Sequence, residues 1–299
     1  MTKTFRIGLD LGGTAIKGGV LLDNESVHEA SCESPKDYQE CLGALENLAQ
    51  SLAINAGASS VDICTLGLAA PGAVNQSDGV VTDSPNLQFL DNQPLREDLA
   101  NRLSWPVTLE NDASAAALGE ANFGAGKNHP SFLLVTLGTG IGGGVVLNHK
   151  LWSGSGGLAG EFGHMRANHD RPCNCGSLGC VEAGLSSPQL LKWAQDEGSS
   201  ATSLPALSKA AEEGDSLAIS IFQRAGAYFG EALAQVALIL DLRVFLLGGG
   251  GAPILPHLKE AALQSIADRT LGRIPSDFVL EQATCGNRAG WLGAALCAD

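Results

Sequence analysis

The chain has 299 residues, 44% of them hydrophobic, which is enough to bury a large core without disulfide staples and too apolar for a disordered chain. Lys and Arg total 18 against 32 Asp and Glu, a net charge of −14 that argues against nucleic-acid and anionic-membrane partners. No uncharged apolar stretch reaches membrane-spanning length, since the longest, around Val236 to Leu247, is interrupted by Asp241 and Arg243.

The N-terminal residues run straight into an apolar strand, Phe5 to Leu9, with no signal-peptide pattern. A second strand is expected over Ile16 to Leu22, and Asp10-Leu11-Gly12-Gly13-Thr14 lies between the two. Tyr38 to Ala56 carries apolar residues at helical spacing, and alanine-rich Ala113 to Asn122 follows Asn111 and Asp112, both natural cap residues. Phe132 to Leu137 and Gly143 to Leu147 read as strands around Gly138-Thr139-Gly140. Ser216 to Leu240 reads as a long apolar helix, buried or broken. Val244 to Leu247 reads as a buried strand that ends in Gly248-Gly249-Gly250-Gly251. The alternation of strands and helices indicates an α/β protein, and the recurrence of strand, Gly-Thr turn and strand suggests two similarly built halves.

Gly138-Thr139-Gly140-Ile141-Gly142-Gly143 satisfies G-x-G-x-x-G, but a strand follows where the dinucleotide fingerprint needs a helix. A glycine turn between two strands instead presents backbone N–H groups to an anion. Thr14 and Thr139 add hydroxyl donors, Lys17 adds charge, and Asp10 is suited to a hydrated Mg²⁺. Two such turns point to a nucleotide clamp.

Three thiols and one imidazole, Cys173, Cys175 and Cys180 with His164, match a closed tetrahedral structural zinc set. His169 competes for the fourth position, and His164 ranks first. The remaining cysteines, Cys32, Cys41, Cys64, Cys285 and Cys297, are scattered and read as free thiols of a cytoplasmic protein.

Asp10 to Lys17 resembles the first phosphate motif of the sugar-kinase, actin and heat-shock ATPase superfamily, in the DxGGTxxK form of the ROK family (repressors, open reading frames and kinases). Leu137 to Gly144 resembles its second phosphate motif, and Asp241 with Val244 to Gly250 its adenosine motif. The resemblance runs from about residue 5 to about 295 and includes the zinc signature, with Glu182 as its final Glu. It implies two ribonuclease-H-like (actin-like ATPase) α/β domains with an interdomain cleft. The smaller is expected over 1–112 plus about 289–299, and the larger over 113–288.

The resemblance also implies roles. Asp112, in Glu110-Asn111-Asp112-Ala113, becomes the general base, although the residues by themselves favour a helix cap there, a role that does not exclude catalysis. Gly72, Asn86, Asn111, Asp112, Glu161, His164 and Glu182 become sugar contacts. Asp10, Gly12, Gly13, Thr14, Lys17, Gly138, Thr139, Gly140, Gly248, Gly249 and Gly250 become contacts of Mg²⁺-ATP. Leu90 stands where the family often has Trp, and Ser114 where Asn is common. The expected activity is ATP-dependent phosphorylation of a hexose, first of all at C6 of glucose. A ROK-type sugar-sensing regulator, or a kinase for fructose or an N-acetylated hexosamine, is the alternative. A regulator is expected to carry a DNA-binding domain ahead of the first phosphate motif, which here begins at residue 10. A homodimer or higher homo-oligomer is also expected from the family.

Overall fold

Phe5, Ile7, Leu9 and Leu11 are all buried, and their alternation builds the first strand, β1 (Phe5–Leu11). The structure is a computed structural model and describes residues 5–59, 62–84 and 86–297, without the side chains of Ile63 and Cys64. Pro85, next to the expected sugar contact Asn86, and the Cys64 thiol therefore lie outside the described residues. After β1 come β2 (Ala15–Leu22), β3 (Glu25–Glu33), α1 (Tyr38–Asn55), β4 (Ile63–Ala70), β5 (Ala73–Asn75), β6 (Val80–Asp83), α2 (Leu95–Leu103), β7 (Val107–Asn111) and α3 (Asp112–Phe123). The chain continues through β8 (Phe132–Leu137), β9 (Ile141–Leu147), β10 (Lys150–Leu151), α4 (Val181–Leu185), α5 (Ser187–Asp196), α6 (Leu204–Glu212) and α7 (Ser216–Leu240). It ends with β11 (Val244–Gly248), α8 (Leu255–Arg269), β12 (Val279–Gln282) and α9 (Ala289–Ala294).

Two five-stranded sheets result, in the orders β3-β2-β1-β4-β7 and β10-β9-β8-β11-β12. In the first, β1 runs antiparallel to β2 and parallel to β4, which is parallel to β7. In the second, β10 is antiparallel to β9, and β11 is parallel to both β8 and β12. The two orders correspond position for position, and each Gly-Thr turn joins the same two places. This is the duplication that the recurring turn suggests.

The chain forms two compact units, 1–128 with 144–159 and 287–299, and 129–143 with 160–286. The first boundary thus falls at 128 instead of the expected 112. The reason is α3, which packs on α9: a Cβ on Gly119 would overlap the Ala289 carbonyl oxygen, and one on Gly293 the Ala115 carbonyl oxygen. Two helices this close belong to one body. α9 in turn lies on the first sheet over Gly8, Gly19 and Gly67, where side chains would overlap Trp291 and Ala294. Buried Leu45, Leu48 and Leu52 of α1 and Leu95 and Leu99 of α2 complete that unit's core.

In the other unit, α7 is a single unbroken helix of 25 residues, capped by Asp215 through Ala218 N–H and ended by left-handed Asp241. Gly226 and Gly230 bring it close to α8, where a Cβ on Gly226 would sit 2.5 Å from the Leu258 carbonyl oxygen. Its last residues, Leu238 to Leu240, are exposed. No helix among the described residues is long and apolar enough to cross a membrane.

Candidate active site

In the first unit, β1 and β2 place Asp10 opposite Lys17 across the hairpin. Burial pushes the Asp10 carboxyl up, and the Lys17 charge opposes this. Room for that carboxylate comes from α9, because a Cβ on Gly290 would lie 2.5 Å from its Oδ2. Lys17 Nζ donates to Asn287 Oδ1 at 3.1 Å. The turn is closed by Gly12 N–H donating to the Ala15 carbonyl at 3.1 Å. Gly12 therefore spends its amide on the turn itself. The amides of exposed Gly13 and Thr14 have no partner among the described residues.

β7 delivers Asn111 and Asp112 to the start of α3. Asn111 is the N-cap: its side-chain oxygen accepts from Ser114 N–H at 3.0 Å. The cap reading of Asp112 therefore gives way, and Asp112 is the first helical residue. Its Oδ1 accepts from Ala113 N–H at 2.8 Å and from Asn111 Nδ2 at 3.1 Å. Asn111 Nδ2 also donates to the Gly72 carbonyl at 3.0 Å. Gly72 has φ +102° and no room for a Cβ against Asp83, so glycine is required there. Asn86 is exposed, in a turn closed by Leu87 N–H to Ser84 O at 3.1 Å.

Sequence reasoning assigned no role to Glu110 or Gln76. Glu110 is 5% exposed, accepts from Asn111 N–H at 2.9 Å and from Gln76 Nε2, and has its carboxyl pushed up by burial. It ties the loop after β5 to the strand that carries Asn111 and Asp112. Glu110 is the first letter of E-N-D-A, but its partner Gln76 lies 34 residues away.

In the second unit, Gly138 N–H donates to Gly140 O at 3.0 Å, and Ile141 N–H donates to Glu182 Oε2 at 2.9 Å. Thr139 and Gly140 keep amides without a partner among the described residues, as Gly13 and Thr14 do. Gly249 (φ +80°) and Gly251 pack on Leu137 at the end of β8, with Gly251 N–H donating to its carbonyl at 2.9 Å. Gly249 thus serves close packing, whereas Gly250 has open space where a Cβ would be.

His164, Cys173, Cys175 and Cys180 come together, with one ligand atom from each within 4.8 Å of all the others. The Cys175 and Cys180 sulfurs are 3.6 Å apart, and Cys173 Sγ is 4.0 Å from His164 Nδ1. A tetrahedral ion with bonds of about 2.3 Å separates its sulfur ligands by about 3.8 Å, so the donors fit one. Ser177 N–H, first among its hydrogen bonds, pulls the Cys175 thiol down to about 6, while burial pushes Cys180 up to about 12. A bound dication would hold all three as thiolates.

His169 is not part of the group. It packs on Tyr228, 4.9 Å between ring centroids, and its Nδ1 accepts from Arg171 N–H at 3.2 Å. The loop ahead of the thiols is gripped by α7, with Glu231 accepting from Asn168 N–H at 2.8 Å and Gln235 Nε2 donating to Arg166 O at 2.9 Å. The other ring nitrogen of His164, Nε2, is 3.9 Å from Glu161 Oε2, and both side chains are partly exposed. The described Cys32, Cys41, Cys285 and Cys297 form no disulfide.

The duplicated sheet with a glycine turn in each half is the actin-like ATPase fold. The sequence matches the ROK family over residues 6–299, and the chain belongs to that family. It is 33% identical to a glucokinase of Streptomyces coelicolor, over 97% of this chain and 96% of that protein. A ROK hexokinase from Thermus thermophilus superposes with TM-score 0.86 at 33% identity, covering 98% of this chain and 97% of the other. A ROK family glucokinase from Streptomyces griseus, solved with glucose and AMPPNP, has TM-score 0.79 at 30% identity, covering 97% and 98%.

Proposed function

We propose that the protein is an ATP-dependent hexose kinase that phosphorylates the 6-hydroxyl of glucose first of all, with Asp112 as general base. The observation that carries this reading is the fixed carboxylate at the start of α3. Ala113 N–H and the Asn111 amide hold one oxygen of Asp112, and Gly72 and Ser114 hold Asn111. A base orientated before substrate arrives needs no reorganisation as it takes the proton. The sugar hydroxyl oxygen forms a bond to the γ-phosphorus, the bond to the bridging β–γ oxygen breaks, the proton goes to Asp112, and ADP leaves. Similarity to kinases, and to one solved with glucose and AMPPNP, supports the sugar and the donor.

The unpartnered amides of Gly13, Thr14, Thr139 and Gly140 are read as the phosphate contacts, with Gly250 toward adenosine. Asn86, Asn111, Glu161, His164 and Glu182 are read as sugar contacts. Mg²⁺, when bound, neutralises phosphate charge, and Asp10 would hold it through water. The His164-Cys173-Cys175-Cys180 set would hold Zn²⁺. Four protein ligands leave no open position, so that ion is structural and His164 turns its Nε2 toward the sugar. Cysteines without disulfides suit a reducing cytoplasm. Self-association, common in the family, is read as giving a homodimer or higher homo-oligomer.

The test is ADP release in a coupled assay over glucose, mannose, fructose, allose, N-acetylglucosamine and N-acetylmannosamine. Glucose is expected to be turned over best. A protein that binds a hexose yet releases no ADP with any of them is a sugar sensor instead. Elemental analysis is expected to find about one zinc per chain, retained through desalting. EDTA in the assay should stop turnover, and added Mg²⁺ should restore it. Purified protein free of zinc would remove the structural-zinc reading.

A further inference from the structure

The second glycine turn is held from outside by one short stretch of chain. Glu182 Oε2 accepts from Ile141 N–H at 2.9 Å, and Ser187 N–H donates to Gly138 O at 2.9 Å. The stretch Glu182–Ser187 thus grips both ends of Gly138–Ile141. The fit is close, since a Cβ on Gly140 would come within 2.7 Å of the Glu182 carboxylate. This stretch begins where the thiol cluster ends. Cys180 is the N-cap residue of α4 and makes no side-chain cap bond, and Glu182 lies in the first turn. The other carboxylate oxygen of Glu182, Oε1, is 3.8 Å from Cys173 Sγ. Glu182 therefore lies between the four-ligand cluster and the turn, one oxygen facing each, and the start of α4 that carries it adjoins the ligand Cys180.

We infer that Glu182 is a positioning residue through which occupation of the metal cluster sets the geometry of the Gly138–Ile141 turn, and so its affinity for nucleotide phosphate. An ion that cross-links residues 164, 173, 175 and 180 fixes the start of α4, and with it the Glu182 carboxylate. When the ion leaves, the start of α4 keeps backbone bonds such as Val181 N–H to Met165 O, 2.9 Å, but loses the cross-link beneath Glu182. The Ile141 amide then loses an ionic acceptor, and the turn gains freedom that the nucleotide must remove on binding. This inference rests on reading Gly138–Gly140 as a nucleotide turn.

The experiment uses the full chain without sugar, so that any sugar contact of Glu182 plays no part. Amide hydrogen exchange of the segment holding Gly138–Ile141 and calorimetric titration with Mg²⁺-AMPPNP are compared in zinc-loaded and zinc-stripped protein. Wild type, Glu182→Ala, Glu182→Gln and Cys175→Ser are each measured. Stripping wild type, or Cys175→Ser, should speed exchange in the turn and weaken AMPPNP by roughly tenfold, the size of one hydrogen bond to a charged group. Zinc-loaded Glu182→Ala should show the same changes, and stripping it should add nothing. Glu182→Gln keeps an oxygen for Ile141 N–H and should recover most of the protection. The inference is overturned if stripping wild type leaves exchange in the turn unchanged. It is equally overturned if stripping weakens AMPPNP as much in Glu182→Ala as in wild type. If the exchange changes appear but wild type does not bind AMPPNP, the link between cluster and turn stands and the nucleotide reading of the turn fails.

Discussion

Replacing Asp112 by Asn should lower kcat by roughly 10²–10⁴, the usual contribution of a general base, while leaving the fold intact. The structure separates these two effects. The cap of α3 is Asn111, so the substitution does not remove it. An amide at position 112 retains an oxygen to accept from Ala113 N–H and Asn111 Nδ2, which now contact Asp112 Oδ1 at 2.8 and 3.1 Å. What is lost is the capacity to take a proton. Thermal unfolding and nucleotide titration should therefore match wild type while steady-state turnover collapses. Near-normal kcat in the folded variant would remove Asp112 as the base.

Valine at Gly13 or Gly138 should weaken nucleotide binding by roughly tenfold or more, at about 1.4 kcal/mol per decade, without unfolding the chain. A Cβ on Gly13 meets nothing within 4 Å, and one on Gly138 first meets an atom at 3.9 Å. Neither residue has a positive φ, so a branched side chain brings no backbone strain. The added methyls would fill the space through which the neighbouring amides reach phosphate. Gly249 is the contrasting case, with φ +80° and no room beside Leu137, and valine there should damage the fold itself. Calorimetric titration of the folded Gly13→Val and Gly138→Val variants checks the expectation, and unchanged nucleotide affinity in both would contradict it.

Several elements were legible locally. The apolar run Phe132–Leu137 is the observed β8, and Ser216–Leu240 is the observed α7. Both carry enough periodic or continuous apolar signal to outweigh the ends. The three thiols were legible too, because their ligand spacing lies within eight residues. The recurring Gly-Thr turn foretold the duplicated sheet, since a tight turn between paired strands is a local event.

What the sequence by itself determined was therefore the class of fold, the pair of glycine turns, the thiol cluster and the acid at the start of α3. Tertiary structure alone decided which residue does which job. Asn111 rather than Asp112 caps α3 because the chain geometry aims its side chain at Ser114 N–H. His164 rather than His169 joins the thiols because Tyr228, 59 residues along the chain, holds the His169 ring elsewhere. α3 belongs to the first unit because Gly119 and Gly293 let it approach α9, across more than 160 residues. The Glu182 carboxylate meets the Ile141 amide across 41 residues. Such contacts depend on where distant segments dock, and spacing along a chain carries no record of that.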